Sequence, residues 1–123
     1  MLVLLDTSVL IFLAEKPSTF LDELESNVGK VELTVPDSVL GELRGLARSR
    51  GAKAKKAKLA LSYATGLRCL EHGGDADDAL VSLAQGKEAV VATLDRKLIA
   101  SLRRRGVRVA TLRGHRLLLP GGG

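Results

Sequence analysis

Four acidic residues stand where carboxylates can do chemistry. Asp6 follows the apolar run LVLL, Asp95 follows AVVATL, Asp77 lies in the first turn of GDADDAL, and Glu42 lies within PDSVLGELRGLA. Taken singly, each has an ordinary structural use. Asp6 and Asp95 suit helix N-caps, where a carboxylate accepts from the open N–H groups of the first turn. Asp77, with Asp75 and Asp78, would complement a helix macrodipole. On a helical wheel Val39, Leu43, Leu46 and Ala47 form the apolar stripe and Glu42 borders it, as a partly exposed surface acid also would. The four together ask for more. If the runs before Asp6 and Asp95 are parallel strands, both acids emerge at one sheet edge, and the helices carrying the other two begin there. Carboxylates gathered at close range raise one another's pKa, and a divalent cation relieves that repulsion. Oxygen donors without a Cys or His cluster favour Mg²⁺ or Mn²⁺ over Zn²⁺. Such an ion polarises a phosphate and activates water for phosphodiester hydrolysis. Competing chemistries lack their residues. There is no Ser-His-Asp or Cys-His arrangement, His72 and His115 have no paired spacing and are expected at the surface, and GGDAD lacks the Lys and spacing of a phosphate loop.

The elements that must position these acids follow from the apolar pattern. Leu2 to Leu5 reads as a buried strand, and Asp6, Thr7 and Ser8 start a helix to about Ala14. Pro17 and Ser18 end one element and cap the next, about Thr19 to Ser26. Glu32 to Val35 reads as a strand, and Pro36, Asp37 and Ser38 open a helix to about Ser49. After a basic turn at Arg50 and Gly51, Ala52 to about Leu70 reads as one long helix with Leu59, Tyr63 and Leu67 on one face. Asp75 starts another helix with Leu80, Leu83 and Ala84 inward. Ala89 to Thr93 is a strand, Asp95 opens a helix to about Arg105, Gly106 closes it, Val107 to Leu112 is a strand, and Arg116 to Leu119 a short one. Strands alternating with helices give an α/β class, a three-layer α/β/α sandwich with a mostly parallel central sheet. One domain over residues 1–119, with a disordered tail at 120–123, is expected.

Composition sets limits around this. The 123 residues are 46% hydrophobic and 2% aromatic, which permits a real core of Leu, Val and Ala but argues against RNA modules that stack bases on aromatic platforms. Lys plus Arg number 19 against 14 acids, a net charge of +5 that favours a polyanionic partner. The basic residues cluster. One group runs from Arg44 through Arg48, Arg50, Lys53, Lys55 and Lys56 to Lys58, the other from Arg96 and Lys97 through Arg103, Arg104, Arg105, Arg108 and Arg113 to Arg116. From these, Arg44, Arg48, Lys53, Lys56, Arg96, Arg103, Arg104, Arg105, Arg113 and Arg116 are the expected nucleic-acid contacts, with solvated helix faces as the plainer alternative. Cys69 is the single cysteine, which excludes an internal disulfide and suits a reducing cytoplasm; within a helical apolar run it is expected as a small core residue. The apolar N-terminus lacks a basic n-region and carries Asp6 in its middle, so no membrane association is expected. This much Leu in a small domain leaves a homodimer open.

At the same four segments, LLDTSVLI, VPDSVLGEL, ADDALVSLA and VVATLDRKL, the chain resembles the PIN-domain nuclease family over nearly its whole length. The resemblance implies Asp6, Glu42, Asp77 and Asp95 as the acids of a catalytic metal site, binding Mg²⁺ or Mn²⁺. Asp77 is the third acid by its distance from Ala84 and from Thr93, with its neighbour Asp78 as the alternative. Thr7, Ser8 and Thr93 fall where the family places supporting hydroxyls or amides. The activity implied is metal-dependent endoribonuclease cleavage of RNA. Two branches are similar to this chain. One is an archaeal relative of PIN nucleases that process small-subunit rRNA, which would bring a ribosome-assembly partner. The other is the VapC-type toxin ribonuclease, which would bring an antitoxin. VPDSVLGELRGLA before a basic stretch, the ADDALV acid pair and the ending RRRGVRVATLRGHRLLL resemble the first more. A third reading, from another class, is a catalytically silent RNA-binding or scaffold module.

Overall fold

The computed structural model describes residues 1–15, 19–113 and 116–118, with residues 112–113 and 116–118 as backbone. The proposed break and cap at Pro17 and Ser18, His115, and everything from Leu119 onward, the tail at 120–123 included, lie outside the described residues.

Two apolar faces on one sheet organise the chain. In β1 (Leu2–Leu5), Val3 and Leu5 face one side and Leu4 the other, as the period of two in a strand requires. Val3 and Leu5 pack with α1 (Thr7–Glu15), α2 (Phe20–Val28), α3 (Asp37–Ala47) and α4 (Ala52–Ala64), whose contributions include Val9, Leu10, Phe20, Leu24, Val39, Leu43 and Ala60. Leu4 packs with α5 (Ala76–Ala84) and α6 (Arg96–Arg104) through Leu80, Val81, Ala84, Leu98 and Leu102. The result is a three-layer α/β/α sandwich.

The sheet order is β3-β2-β1-β4-β5-β6, with β2 (Glu32–Pro36), β3 (Arg68–Leu70), β4 (Ala89–Ala92), β5 (Arg108–Arg113) and β6 (Arg116–Leu118). The first five strands are parallel, and β6 returns antiparallel beside β5. Central β4 is buried at every position, AVVA, as a strand covered on both faces must be. From β1 the chain winds first to β2 and β3, then returns to β4 and β5. The direction of winding therefore reverses between β1 and β4. Such a switch point leaves a crevice at the carboxyl ends of the two strands.

The structure corrects the sequence reading at the long helix. Expected to run to about Leu70, α4 ends at Ala64, and Arg68–Leu70 form edge strand β3, paired with β2 at Thr34↔Arg68, Val35↔Cys69 and Pro36↔Leu70. The buried face of α4 is the small one, Ala54, Ala57, Ala60 and Ala64, while Leu59 is 53% exposed and Tyr63 and Leu67 are only half-buried. Alanines let α4 approach α1 and α3 closely, so the larger Leu59 is turned outward. Cys69 is likewise exposed on β3, not a core residue.

Candidate active site

Asp6 follows β1 directly and is 6% exposed. Its backbone N–H donates to the Ala92 carbonyl at 3.1 Å, which fastens the ends of β1 and β4. Two hydroxyls converge on its Oδ2: Ser8 Oγ at 2.8 Å and Thr93 Oγ1 at 2.7 Å. Each hydroxyl has one proton, and both are given to Asp6. The 3.3 Å approach of Ser8 Oγ to Thr93 Oγ1 is then a contact between two spent donors. Both hydroxyls accept in turn, Ser8 from Leu94 N–H at 2.9 Å and Thr93 from Asp95 N–H at 3.1 Å. Proton direction is thus set from the backbone through the hydroxyls to the carboxylate. This holds Asp6 as an acceptor and leaves Oδ1 without a hydrogen bond among the described residues.

Asp95 is the N-cap of α6, its Oδ1 accepting from Lys97 N–H at 2.9 Å and Leu98 N–H at 3.3 Å. It is thus a cap, as the plain reading expects, and it stands at the acidic edge as well. In α5 the N-cap is Asp75, whose Oδ2 accepts from Asp77 and Asp78 N–H. That frees the Asp77 side chain. Asp77 and Glu42 are both exposed at the surface, yet partial desolvation by the surrounding protein pushes the Asp77 carboxyl up, and the charges of Asp75, Asp6, Asp95 and Asp78 add to it. Partial desolvation also raises Glu42, joined by Asp6, Asp77 and Asp75. The Thr7 hydroxyl lies close enough to draw Glu42 down against the larger effect of desolvation. It is nevertheless buried and completes no hydrogen bond, so it stands near Glu42 but outside bonding reach. Asp78 turns the other way, toward Arg105 at 3.9 Å.

Asp6, Glu42, Asp77 and Asp95 therefore come from four segments to the carboxyl edge beside the switch point, where the charge of Asp6 reaches both Glu42 and Asp77 and that of Asp95 reaches Asp77. They do so as a loose set. Among the described residues, no three of them close to ligating distance around one point, which is less than the single converged pocket expected. None of the four has a salt bridge among the described residues, whose ion pairs use Glu15, Glu32 and Asp78. Oxygen donors, unmatched negative charge and an orphaned buried hydroxyl fit a hard divalent cation. Asp6, Asp77, Asp95 and Glu42 are the residues that could hold it.

Two acids escaped the sequence reading of the site. Asp75 contributes charge to both Glu42 and Asp77. Asp37, the first residue of α3, accepts from His72 N–H at 3.1 Å and Gly73 N–H at 3.2 Å, and these bonds hold its carboxyl below the usual range. Asp37 thereby ties the helix carrying Glu42 to the loop that leads into Asp75 and Asp77. Gly73 and Gly74 both have φ near +75°, which permits that turn. An Asp spaced five residues before the helical Glu was the available signal.

The expected RNA contacts divide by place. Arg96 follows Asp95 at the acidic edge. Arg44, Arg48, Lys53 and Lys56 are exposed on α3 and α4 or the turn between them, with Lys56 3.4 Å from Glu15. Arg103, Arg104 and Arg105 lie where α6 delivers the chain to the start of β5, the sheet edge opposite the acids. The Arg113 and Arg116 side chains lie outside the described residues. His72 is exposed, as expected.

Comparison with known proteins agrees with this architecture. No curated protein sequence matches. Among solved structures, the PIN domain endonuclease Utp24 is 25% identical with a TM-score of 0.72, over 96% of this chain and 90% of that one. A domain of a functionally unknown protein from Methanocaldococcus jannaschii DSM 2661 is 16% identical with a TM-score of 0.67, covering 94% and 93%. VapBC2 from Rickettsia felis, bound to a DNA fragment from its promoter, is 16% identical with a TM-score of 0.65, covering 92% and 100%. No helix among the described residues is long and apolar enough to cross a membrane. The sequence profile of the PIN like domain matches residues 3–115, and with the sheet order and the acid-lined edge in place, the chain belongs to that family, whose fold serves nucleases.

Proposed function

We propose that this protein is a divalent-metal-dependent endoribonuclease acting at Asp6, Glu42, Asp77 and Asp95. The observation that carries the reading is the buried Asp6, fixed by Ser8 and Thr93 with one oxygen left over, beside three acids that have no cationic partner among the described residues. Bound Mg²⁺ or Mn²⁺ would supply charge for the phosphate and a more acidic water. The chain's own residues do the rest. Asp6 offers Oδ1 in a fixed direction. Asp77 and Glu42, with raised pKa values, accept a proton more readily than ordinary carboxylates and suit orientation of the attacking water. Asp95, held by the first turn of α6, completes the edge. Thr7 is a hydroxyl in reserve for Glu42. Arg96 and the cations of α3 and α4 would hold the RNA backbone.

Of the two branches, processing of small-subunit rRNA with a ribosome-assembly partner is favoured over a VapC-type toxin with an antitoxin. The Utp24 endonuclease is the more similar in sequence, 25% against 16% for VapBC2. Retention of all four acids weighs against a silent scaffold. Action in the cytoplasm follows from an RNA substrate and the lone thiol. The test is cleavage of labelled single-stranded RNA with Mn²⁺ or Mg²⁺, alongside EDTA and Asp6→Asn. Metal-dependent cutting lost in the variant supports the proposal. A folded, metal-supplied wild type that cuts nothing refutes it.

A further inference from the structure

A second cationic surface lies away from the acids. At the amino edge of β4 and β5, Lys87, Arg103, Arg104, Arg105 and Arg108 are all exposed. Gln85 Nε2 donates to the Arg105 carbonyl at 2.9 Å, which fastens the α5–β4 turn bearing Lys87 to the end of α6. Register then sets Arg108 opposite Val90, one residue into β4. Glu88 is the acid within this group of segments, and Arg105 alone is engaged, by Asp78 at 3.9 Å with both side chains well exposed. From Asp95 to Arg104 the nine residues of α6 span about 13 Å. A nucleotide held at the acids therefore does not reach these cations without further chain.

We propose that this amino edge is a second phosphate-binding surface, which takes the backbone of a long, structured RNA whose other part lies at the acidic edge. The inference rests on the RNA reading above and narrows it. Clustered, mutually repelling guanidinium groups, of which Arg103, Arg104 and Arg108 have no acid partner among the described residues, are compensated by a polyanion. The separation of the two edges exceeds the reach of a dinucleotide, so a longer, structured RNA would be a better substrate than a strand too short to touch both edges.

The test uses Arg103→Ala/Arg104→Ala/Arg108→Ala, with Arg105 kept because it is engaged by Asp78, and a matching triple Arg→Lys variant. Binding to a structured RNA in EDTA, where no cutting occurs, is measured across a salt series. Losing three phosphate contacts lowers the log–log salt slope by about two to three units, and the Lys variant keeps most of it. With Mn²⁺, kcat/KM is compared between that RNA and a dinucleotide, whose reach of roughly 7 Å at about 3.4 Å per nucleotide is too short to span both edges. The ratio of the two falls about tenfold or more in the Ala variant. An unchanged slope, or equal losses on both substrates, overturns the proposal. If wild type cuts neither RNA, the nuclease reading fails by itself, and the salt slope still decides whether this surface binds RNA.

Discussion

At the scale of single residues, the site depends on how protons are distributed around Asp6. Because Ser8 and Thr93 both donate to it, its carboxyl group is fixed in direction before any ligand arrives. Asp6→Asn places an amide there and removes the charge. The expected result is a loss of about 10²–10³-fold in cleavage rate, the several kcal/mol that metal assistance contributes, with the fold retained. Wild-type rates in this variant would show that Asp6 is a structural acceptor for Ser8 and Thr93 and nothing more. Ser8→Ala acts one step removed: Asp6 loses a donor and Leu94 N–H its acceptor. Mn²⁺ affinity measured by calorimetry should fall about 10–100-fold, as for other residues that orient a ligand. Asp37 offers a sharper contrast. Asn keeps the oxygen that accepts from His72 and Gly73, and Ala does not, so amide exchange at those two residues should accelerate in Asp37→Ala but not in Asp37→Asn. Asp6, Asp95 and Glu42 were legible because each follows a strand or borders an apolar stripe, whereas Asp77 stood out from its neighbours through the family resemblance. The tie made by Asp37 was not legible, since its partners are backbone groups that only the folded loop brings near, and Asp75 was legible as the start of α5 but not as a charge beside Asp77 and Glu42.

At the scale of elements, periodicity revealed what the core demands and missed what close packing permits. β1, β4 and β5 were legible as short apolar runs, and α1, α3 and α6 as segments started by Asp, Thr or Ser. β3 was not: two of its three residues are exposed, and it exists because β2 offers an open edge with a parallel register. It was hidden inside an apparent helix because Ala and Leu favour helix wherever pattern alone decides. Which face of α4 is buried was not legible either. Leu59, Tyr63 and Leu67 share one face, but the helix is drawn in by Ala57 and Ala60, which are fully buried. Substitutions on the two faces should therefore differ in the sense opposite to hydrophobicity. Ala60→Leu overpacks the contact and should cost about 1–3 kcal/mol. Leu59→Ala, on the exposed face, should stay within about 0.5 kcal/mol of wild type. Urea unfolding of the pair decides it, and a larger loss for Leu59→Ala would mean that α4 buries the other face.

At the scale of the whole molecule, acids at one edge of the sheet, uncompensated by cations, link stability to both pH and metal. The carboxyls of Asp77 and Glu42 have folded-state pKa values above their ordinary 3.8 and 4.5. For a raised pKa, the neutral form favours the fold. Its contribution is fully present below the ordinary values and is lost as pH rises through the raised ones. Asp37 carries the opposite sign: its lowered pKa stabilises above 3.8 and loses that contribution as pH falls. The pH profile of wild type alone mixes the two, so the acidic edge is isolated by difference. Without metal, Glu42→Gln and wild type should have similar Tm near pH 4, and the variant should be the more stable near pH 7, where wild type carries the repelling charge. Added Mn²⁺ should reverse that order at pH 7, because the cation compensates the carboxylate and gains less from the amide. A ligand at about 100 times its Kd stabilises by about 2.7 kcal/mol, roughly 10 °C in Tm for a chain of this size. Thermal unfolding of both proteins at the two pH values, with and without Mn²⁺, reads every term. If Mn²⁺ shifts Tm equally in both, Glu42 takes no part in holding the ion. If it shifts neither, the acids at this edge do not form a metal site.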